Sequence, residues 1–267
     1  PTTSTPELND LDDYFFRINP DNSLEAHTMA WNILQRRGLR RVAVIYDMDN
    51  AAYSNTFWTA FAKRYQELGG QVIGEVPFFS SEAPDFMSLM PDLRSDISRS
   101  PDEAANPEAV LIIASALDTA LMAQQASRLG WDVPLFSTGW AQTEILIQSG
   151  GHAVEGMETI VSFDWNSDAP AFVAFKTRYQ DRFGRLPTFA AAQSYEAVGV
   201  LATALEKTGG SADGLRQALM EIQNYAGLTG TLSIDEYGDV VRTQFLITVQ
   251  SGAFVTLEAI EPESLDL

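Results

Sequence analysis

A run of hydroxyl-bearing residues comes directly before Pro6 at the start of the chain: Thr2, Thr3, Ser4 and Thr5. Proline suits the first position of a helix, so Ser4 or Thr5 is expected to be the N-cap. A helix N-terminus offers unpaired N–H groups and a partial positive charge, and the hydroxyls add donors. The segment therefore suits a carboxylate, although an ordinary capping turn explains the same residues.

Two further candidates each follow a short apolar stretch: Tyr53 and Trp140. If those stretches are parallel strands, the candidates lie at the carboxyl ends, where doubly wound sheets bind ligands. Trp140 could stack on a ligand or contact a cation through its ring. Tyr53 could equally be a surface aromatic at a helix start. Asp118, just after Ser115, is more simply a helix-capping residue.

The chain offers little for covalent or metal chemistry. It has no cysteine, and its two histidines, His27 and His152, lack the spaced partners of a zinc site. Glycine-rich phosphate loops and the Gly-x-Ser-x-Gly motif are missing from the sequence. We therefore expect no catalytic residue, no metal and no cofactor.

Composition limits the partners. The 267 residues include 17 Lys and Arg against 36 Asp and Glu, a net charge of −19, which disfavours nucleic acid and anionic membrane surfaces. Hydrophobic residues make up 45%, enough for a folded core, and the length suggests about two domains. No apolar run approaches the roughly 18 residues of a membrane span.

Alternation of apolar strands and helical periods predicts an α/β fold with a parallel sheet. Strands are predicted at 41–46, 71–76, 109–114, 134–137 and 157–163. A helix is predicted at 23–37. Two others are predicted from apolar stripes, one with Phe57, Phe61, Arg64/Tyr65 and Leu68, and one with Leu117, Leu121 and Leu129 together with Met122.

The pattern changes after Phe163. Three helices follow without a strand between them, the first capped by Asp168 and the last over 212–223. Their apolar stripes are Phe172, Phe175, Tyr179 and Phe183, and then Tyr195, Val198, Leu201 and Leu205. Strands are predicted at 230–234, 243–249 and 253–256, with a hairpin turn at Ser251-Gly252.

Several short segments occur in an order that resembles a known family: 1–8 (PTTSTPEL), 14–20 (YFFRINP), 41–47 (RVAVIYD) leading to Tyr53-Ser54, 153–156 (AVEG), 179–187 (YQDRFGRLP), 194–197 (SYEA) and 227–235 (GLTGTLSID) with Gly238-Asp239. The chain resembles type I periplasmic binding proteins of the leucine/isoleucine/valine-binding kind, receptors of branched-chain amino-acid ABC transporters. No single segment is diagnostic. Their order over nearly the whole chain makes the likeness specific.

The resemblance implies two doubly wound α/β lobes joined by three crossovers, the first lobe being incomplete. Residues 1–21 would be a remnant of the first lobe, 22–163 the second lobe, 164–243 helices and a strand of the first lobe, and 244–267 a return to the second. The chain would then be a piece whose missing N-terminal segment builds most of the first sheet. The stripes containing Phe172 and Tyr195 would be exposed.

The resemblance also assigns ligand-binding roles. Ser4 would hold a ligand carboxylate through its hydroxyl and N–H, Thr2 through its backbone, with Thr3 beside them. Tyr53 would close over the ligand from the second lobe, and Phe189 would line the first-lobe side. Ser115 would also belong to the site, at a position where some relatives carry an aromatic residue. Amino-acid binders of this family place an acid near Trp140 for the ammonium group. Either Glu144 takes that role, or the ligand carries no α-ammonium.

The function that follows is an extracytoplasmic receptor, secreted or lipid-anchored, that captures a small carboxylate-bearing ligand and presents it to a membrane permease. Ligand bridging both lobes would stabilise a closed form. The alternative is the extracellular sensor domain of a signalling receptor. An enzyme on the same layout is disfavoured because the strand ends lack acid–base pairs.

Overall fold

The computed structural model describes residues 3–89 and 107–261. The chain divides into two compact units. Unit 1 comprises Pro1–Asp21, Ser162–Phe245 and Ala259–Leu267, and unit 2 comprises Asn22–Val161 and Leu246–Glu258. Thr2, one of the predicted ligand-binding residues, lies outside the described residues.

The strands, in chain order, are β1 (Arg41–Asp47), β2 (Gln71–Phe78), β3 (Ala109–Ile113), β4 (Leu135–Thr138), β5 (Glu158–Val161), β6 (Tyr225–Ala226), β7 (Thr231–Ile234), β8 (Val240–Arg242), β9 (Gln244–Gln250) and β10 (Ala253–Ile260). The α-helices are α1 (Asn22–Trp31), α2 (Ala51–Glu67), α3 (Ala116–Arg128), α4 (Glu144–Gly150), α5 (Pro170–Phe183), α6 (Phe189–Lys207) and α7 (Leu215–Met220). A π-helical segment, Asn32–Arg36, continues α1.

Unit 2 is built on a seven-stranded sheet with the order β10-β9-β5-β4-β3-β1-β2. The pairs β1–β2, β1–β3, β3–β4 and β4–β5 are parallel, as the alternation of strands and helices predicted. β3 is buried along its whole length, because helices that cover both faces of a parallel sheet leave its strands no solvent-facing side. All carboxyl ends of these five strands therefore meet at one edge of the sheet.

The buried residues of α2 agree with the predicted stripe, and those of α3 differ from it. Phe57, Phe61 and Tyr65 of α2 are fully buried, as their spacing indicated. On α3 the buried residues are mostly alanines with Met122, whereas Leu117 and Leu129 are exposed. The stripe was therefore wrong for Leu117 and Leu129, whereas Met122 is fully buried and Leu121 packs against the core.

Unit 1 contains α5, α6 and α7 together with the three-stranded antiparallel sheet β6-β7-β8. Phe172 and Phe175 of α5 are buried in a cluster with Phe163 and Leu228, so the expectation that they are exposed was wrong. The predicted cap was also wrong. Ala169 is the N-cap of α5 without a side-chain bond, and Pro170 fixes the first turn.

The apolar face of α6 is exposed, as predicted. The exposed fractions are 47% for Tyr195, 67% for Val198 and 42% for Leu201. The opposite face is buried and carries Val200 and Ala204, which pack with β7 and β8 residues. No described helix is long and apolar enough to cross a membrane.

Candidate functional site

Two aromatic rings meet at the carboxyl edge of the sheet in unit 2. β4 ends at Thr138 and leads into a 3-10 turn, Gly139–Ala141, that carries Trp140. Tyr53 lies in the first turn of α2, which follows β1. The Tyr53 and Trp140 ring centroids are 5.6 Å apart with an interplanar angle of 68°, an edge-to-face contact. The structure thus brings together two residues that are 87 positions apart in the sequence.

The first turn of α2 is held against α1. Asn22 donates through Nδ2 to the Tyr53 carbonyl oxygen at 2.7 Å and to Thr56 Oγ1 at 2.8 Å. Asn22 itself is buried, at 1% exposure. Because a buried amide keeps its hydrogen bonds, it fixes the backbone from which the Tyr53 ring projects.

Two hydroxyl groups at this edge, those of Tyr53 and Thr138, are buried without partners among the described residues. Burial and then the charge of Glu25 raise the pKa of Tyr53 well above 10, while the nearby Thr138 hydroxyl and Trp140 backbone N–H lower it by smaller amounts. Among the described residues, neither Tyr53 Oη nor Thr138 Oγ1 has a partner at hydrogen-bond geometry. Such groups are costly to bury, so they are candidates for contacts with a ligand.

Glu25 of α1 reaches the same place. Its Oε1 accepts a hydrogen bond from the Gly139 backbone N–H at 2.6 Å. Burial raises the pKa of Glu25 from 4.5 to about 8, and this hydrogen bond lowers it by a smaller amount. A side chain on Gly139 would meet the Glu25 oxygens at 3.2 and 3.5 Å, so glycine permits their close approach.

Ser115 lies at the end of β3 and caps α3. Its Oγ accepts from the Asp118 N–H at 3.3 Å and lies 2.7 Å from Asp118 Oδ2. The cap is therefore Ser115, and the simpler interpretation of Asp118 as the capping residue was wrong. Burial raises the pKa of Asp118, and the charge of Asp47 at the end of β1 raises it further.

The hydroxyl-rich turn lies in unit 1. Thr5 is the N-cap and its Oγ1 accepts from the Glu7 N–H at 3.3 Å. The helix that it caps is a single 3-10 turn, Pro6–Leu8, so the partial charge expected of a longer helix is small here. Thr3 is exposed and Ser4 is half-buried.

A buried arginine anchors this turn. Arg17, 3% exposed, donates through Nη1 to the Thr5 carbonyl oxygen at 2.9 Å. Its Nε lies 2.7 Å from Asp239 Oδ1, and its Nη2 donates to Asn9 Oδ1. The other unit 1 candidate, Phe189, is the half-buried first residue of α6 and follows the N-cap Thr188.

Glu25 and Thr138 were not among the sequence-predicted residues. Thr138 is the last residue of β4, and the rule that selected Trp140 could have found it. Glu25 is an acid in the first turn of a helix, where acids stabilise the helix dipole, so nothing in the sequence pointed to a role in a binding site. Glu144, the acid suggested by the resemblance, is exposed at the start of α4.

The described residues contain no group of three or more His, Cys, Asp or Glu side chains that could hold a metal ion. What the edge of the sheet offers is a pair of aromatic rings, two buried hydroxyls and one carboxyl group with a raised pKa. This set can bind and orient a small molecule with an apolar body and few polar groups.

Comparison with known proteins defines the class. The chain is similar to the leucine-binding protein LivK from Thermotoga maritima, with 26% identity, a TM-score of 0.84, and coverage of 98% of this chain and 72% of that one. It shares its fold with a solute-binding protein of an ABC transporter from R. palustris in complex with benzoate (20% identity, TM-score 0.74, coverage 94% and 68%). A search of curated proteins gave no match.

A third structure with the same fold is a solute-binding protein of an ABC transporter from Rhodopseudomonas palustris BisB5 in complex with 3,4-dihydroxybenzoic acid. Its identity is 22%, its TM-score 0.75 and its coverage 93% of this chain and 67% of that one. These similarities define a solute-binding protein. The periplasmic binding protein family model matches residues 1–253, so the chain belongs to that family, in its type I leucine/isoleucine/valine-binding form.

Proposed function

We propose that this protein is the receptor of an ABC transporter for a small carboxylate-bearing solute, an amino acid or an aromatic or organic acid. The observation that carries the proposal is the Tyr53–Trp140 ring pair at the carboxyl edge of the sheet in a member of the periplasmic binding protein family. In open α/β sheets this edge is where ligands bind. Binding and release need no covalent step, so the protein would act without catalysis or cofactor.

The carboxylate of the ligand would be bound by the turn of Thr2, Thr3 and Ser4 in unit 1, and its body by Tyr53, Ser115 and Trp140 in unit 2, with Phe189 as a further apolar contact. A ligand held by residues of both units would stabilise one arrangement of them, and a membrane permease would recognise that form. Family membership implies an extracytoplasmic location. We propose a periplasmic or extracellular protein, secreted or lipid-anchored.

An aromatic acid is the favoured ligand class. Trp140 stands where the resemblance expects an acid for an ammonium group, and it offers a ring face or edge instead. Two proteins of the same fold bind benzoate and 3,4-dihydroxybenzoic acid, which supports this choice, whereas LivK is a leucine-binding protein.

A thermal shift panel on the full-length protein tests the proposal. Benzoate, 3,4-dihydroxybenzoate, leucine and isoleucine would each be added at 1 mM. A ligand at about 1,000 times its Kd adds about 4 kcal/mol to the free energy of unfolding, a large shift in Tm. Tyr53→Ala or Trp140→Ala should weaken the binding of an active ligand by about tenfold or more. Tyr14→Ala is the control, because Tyr14 is 85% exposed. No shift with any carboxylic acid would contradict the proposal.

We also propose that a segment preceding residue 1 covers the exposed face of α6. Tyr195, Val198 and Leu201 form this apolar face, and the chain covers only 72% of LivK. A longer chain that includes the preceding residues should bind a hydrophobic dye such as ANS less strongly than residues 1–267. Equal dye binding by the two chains would overturn this part of the proposal.

A further inference from the structure

The polar groups at the Tyr53–Trp140 edge define what kind of ligand group they can accept. Tyr53 Oη and Thr138 Oγ1 are each buried, and neither has a partner at hydrogen-bond geometry within the described residues. Each hydroxyl can donate one hydrogen bond and accept others. A ligand group that both donates and accepts would satisfy the two together.

The third polar group, Glu25, is already partly engaged. Its Oε1 accepts the Gly139 N–H, which leaves Oε2 for other contacts. The titratable group near it on α2 is Tyr53, whose pKa the charge of Glu25 raises, and the turn after β4 faces it with the Gly139 backbone N–H. None of these neighbours carries a positive charge that would favour an ionised Glu25.

A cation is a poor occupant of this place. Burial raises the pKa of Glu25 to about 8, so the carboxyl group is mostly protonated at neutral pH. An ammonium group would have to displace that proton before it gained a charge partner, and this would weaken its binding. A neutral hydroxyl needs no such change and can accept from the protonated carboxyl group.

We propose that Tyr53, Thr138 and Glu25 form a subsite for an uncharged hydroxyl group, so that the ligand is a hydroxylated aromatic carboxylate whose ring contacts Trp140. This inference rests on the proposed function and deepens it by naming the ligand class. Glu25 would be a specificity-determining residue, and it would also position Trp140 through its bond to Gly139.

Calorimetric titration of the full-length protein at pH 7 with benzoate, 3-hydroxybenzoate, 4-hydroxybenzoate and L-phenylalanine tests this directly. At least one hydroxybenzoate should bind about tenfold or more tighter than benzoate, because benzoate leaves the buried hydroxyls unpaired. Tyr53→Phe and Thr138→Val should each reduce this preference to about threefold or less, because each variant removes one of the two buried hydroxyls. Tyr14→Phe and Thr177→Val, at exposed positions, are the matched controls.

The outcomes separate the two proposals. If benzoate binds as tightly as every hydroxybenzoate, the subsite is wrong and the proposed function stands. If L-phenylalanine binds tightest, the subsite accepts ammonium and this inference is overturned. If none of these acids nor leucine binds, the proposed function fails as well. Because the ligand comparison uses the unaltered protein, the test remains decisive even if a variant does not fold.

Discussion

Glu25 of α1 and Gly139, which directly follows β4, are joined by a hydrogen bond in which the Gly139 N–H donates to Glu25 Oε1 at 2.6 Å. The two residues are 114 positions apart in the sequence. The bond links the first helix of unit 2 to the turn that carries Trp140. A carboxyl group that would otherwise be an ordinary helix-start acid thereby becomes part of the candidate site.

Glu25 should make the stability of the protein depend on pH. Its folded-state pKa of about 8 is above the unfolded value of 4.5, so between these values the folded chain holds the extra proton. The free energy of unfolding therefore falls as pH rises from about 4.5 to about 8 and levels off above that range. Glu25→Gln keeps an acceptor for Gly139 without a titrating group, so it should remove this part of the dependence.

Thermal denaturation from pH 5 to pH 9 measures the effect. As pH rises, the Tm of Glu25→Gln should increase relative to the Tm of the unaltered protein. The increase should be about 2–4 °C for each kcal/mol that the unaltered protein loses in free energy of unfolding. Glu144→Gln, at an exposed position, is the control and should follow the unaltered protein. Parallel curves for Glu25→Gln and the unaltered protein would show that Glu25 titrates normally.

Ser115 allows its capping role to be separated from a role in ligand binding. Ser115→Ala should lower the free energy of unfolding by about 1 kcal/mol, because α3 loses its side-chain cap. Ser115→Asn retains a capping side chain and should recover most of that loss. Ser127→Ala, on the exposed end of the same helix, should change stability by less than about 0.5 kcal/mol. Chemical denaturation gives these values.

The affinity of the Ser115 variants for a bound acid then decides the second role. If Ser115 contacts the ligand, Ser115→Asn should restore stability without restoring affinity. Equal affinity of Ser115→Asn and the unaltered protein would remove Ser115 from the proposed ligand contacts.

Much of unit 2 could be predicted because its signals are local. Each of the five parallel strands begins and ends within a few residues of the predicted range, since buried strands form short apolar runs between turn residues. The α3 stripe failed because leucines at helical spacing do not reveal which face is covered. Of the predicted stripe only Met122 is fully buried, and it shares the buried face with alanines and Thr119.

Within the candidate site, only the residues that follow strand ends could be predicted from the sequence. Tyr53, Ser115 and Trp140 follow strand ends, and the structure places all three at the carboxyl edge of the sheet. Glu25 depends on how α1 packs near β4 and β5, which no local pattern records. Its raised pKa is a property of that packing and has no counterpart in the sequence.

Breaking a buried ion pair in unit 1 should strongly destabilise the protein. Arg242 and Glu196 are each 1% exposed in their side chains, with 3.0 Å between Arg242 Nη1 and Glu196 Oε2. Arg242→Met or Glu196→Leu leaves one buried charge without its partner and should cost about 3–5 kcal/mol. The double variant should cost less than the sum, because it removes both charges.

The exposed pair of Lys207 and Glu221, 3.8 Å apart, provides the control. Lys207→Met should cost at most about 1 kcal/mol, since solvent screens this pair. Denaturant titration of the four variants measures the differences. A cost of less than 1 kcal/mol for Arg242→Met would mean that water or local rearrangement compensates the charge of Glu196.

Arg17 should couple the stability of unit 1 to carboxylate binding. Its guanidinium group lies 2.7 Å from Asp239 Oδ1 and donates to the Thr5 carbonyl oxygen at 2.9 Å. Burial raises the pKa of Asp239, and the charge of Arg17 opposes that rise. Arg17→Met would remove this partner and loosen the turn of Thr3 and Ser4. We expect a loss of about 3 kcal/mol in the free energy of unfolding and about tenfold weaker binding of an active acid.

A neutral ligand distinguishes an effect on the turn from general damage. The methyl ester of an active acid has no carboxylate, so Arg17→Met should change its affinity much less than that of the acid itself. Arg185→Met, at an exposed position of unit 1, should leave both affinities unchanged. If Arg17→Met weakens ester and acid equally, the turn does not hold the carboxylate. In that case Arg17 only supports the fold of unit 1.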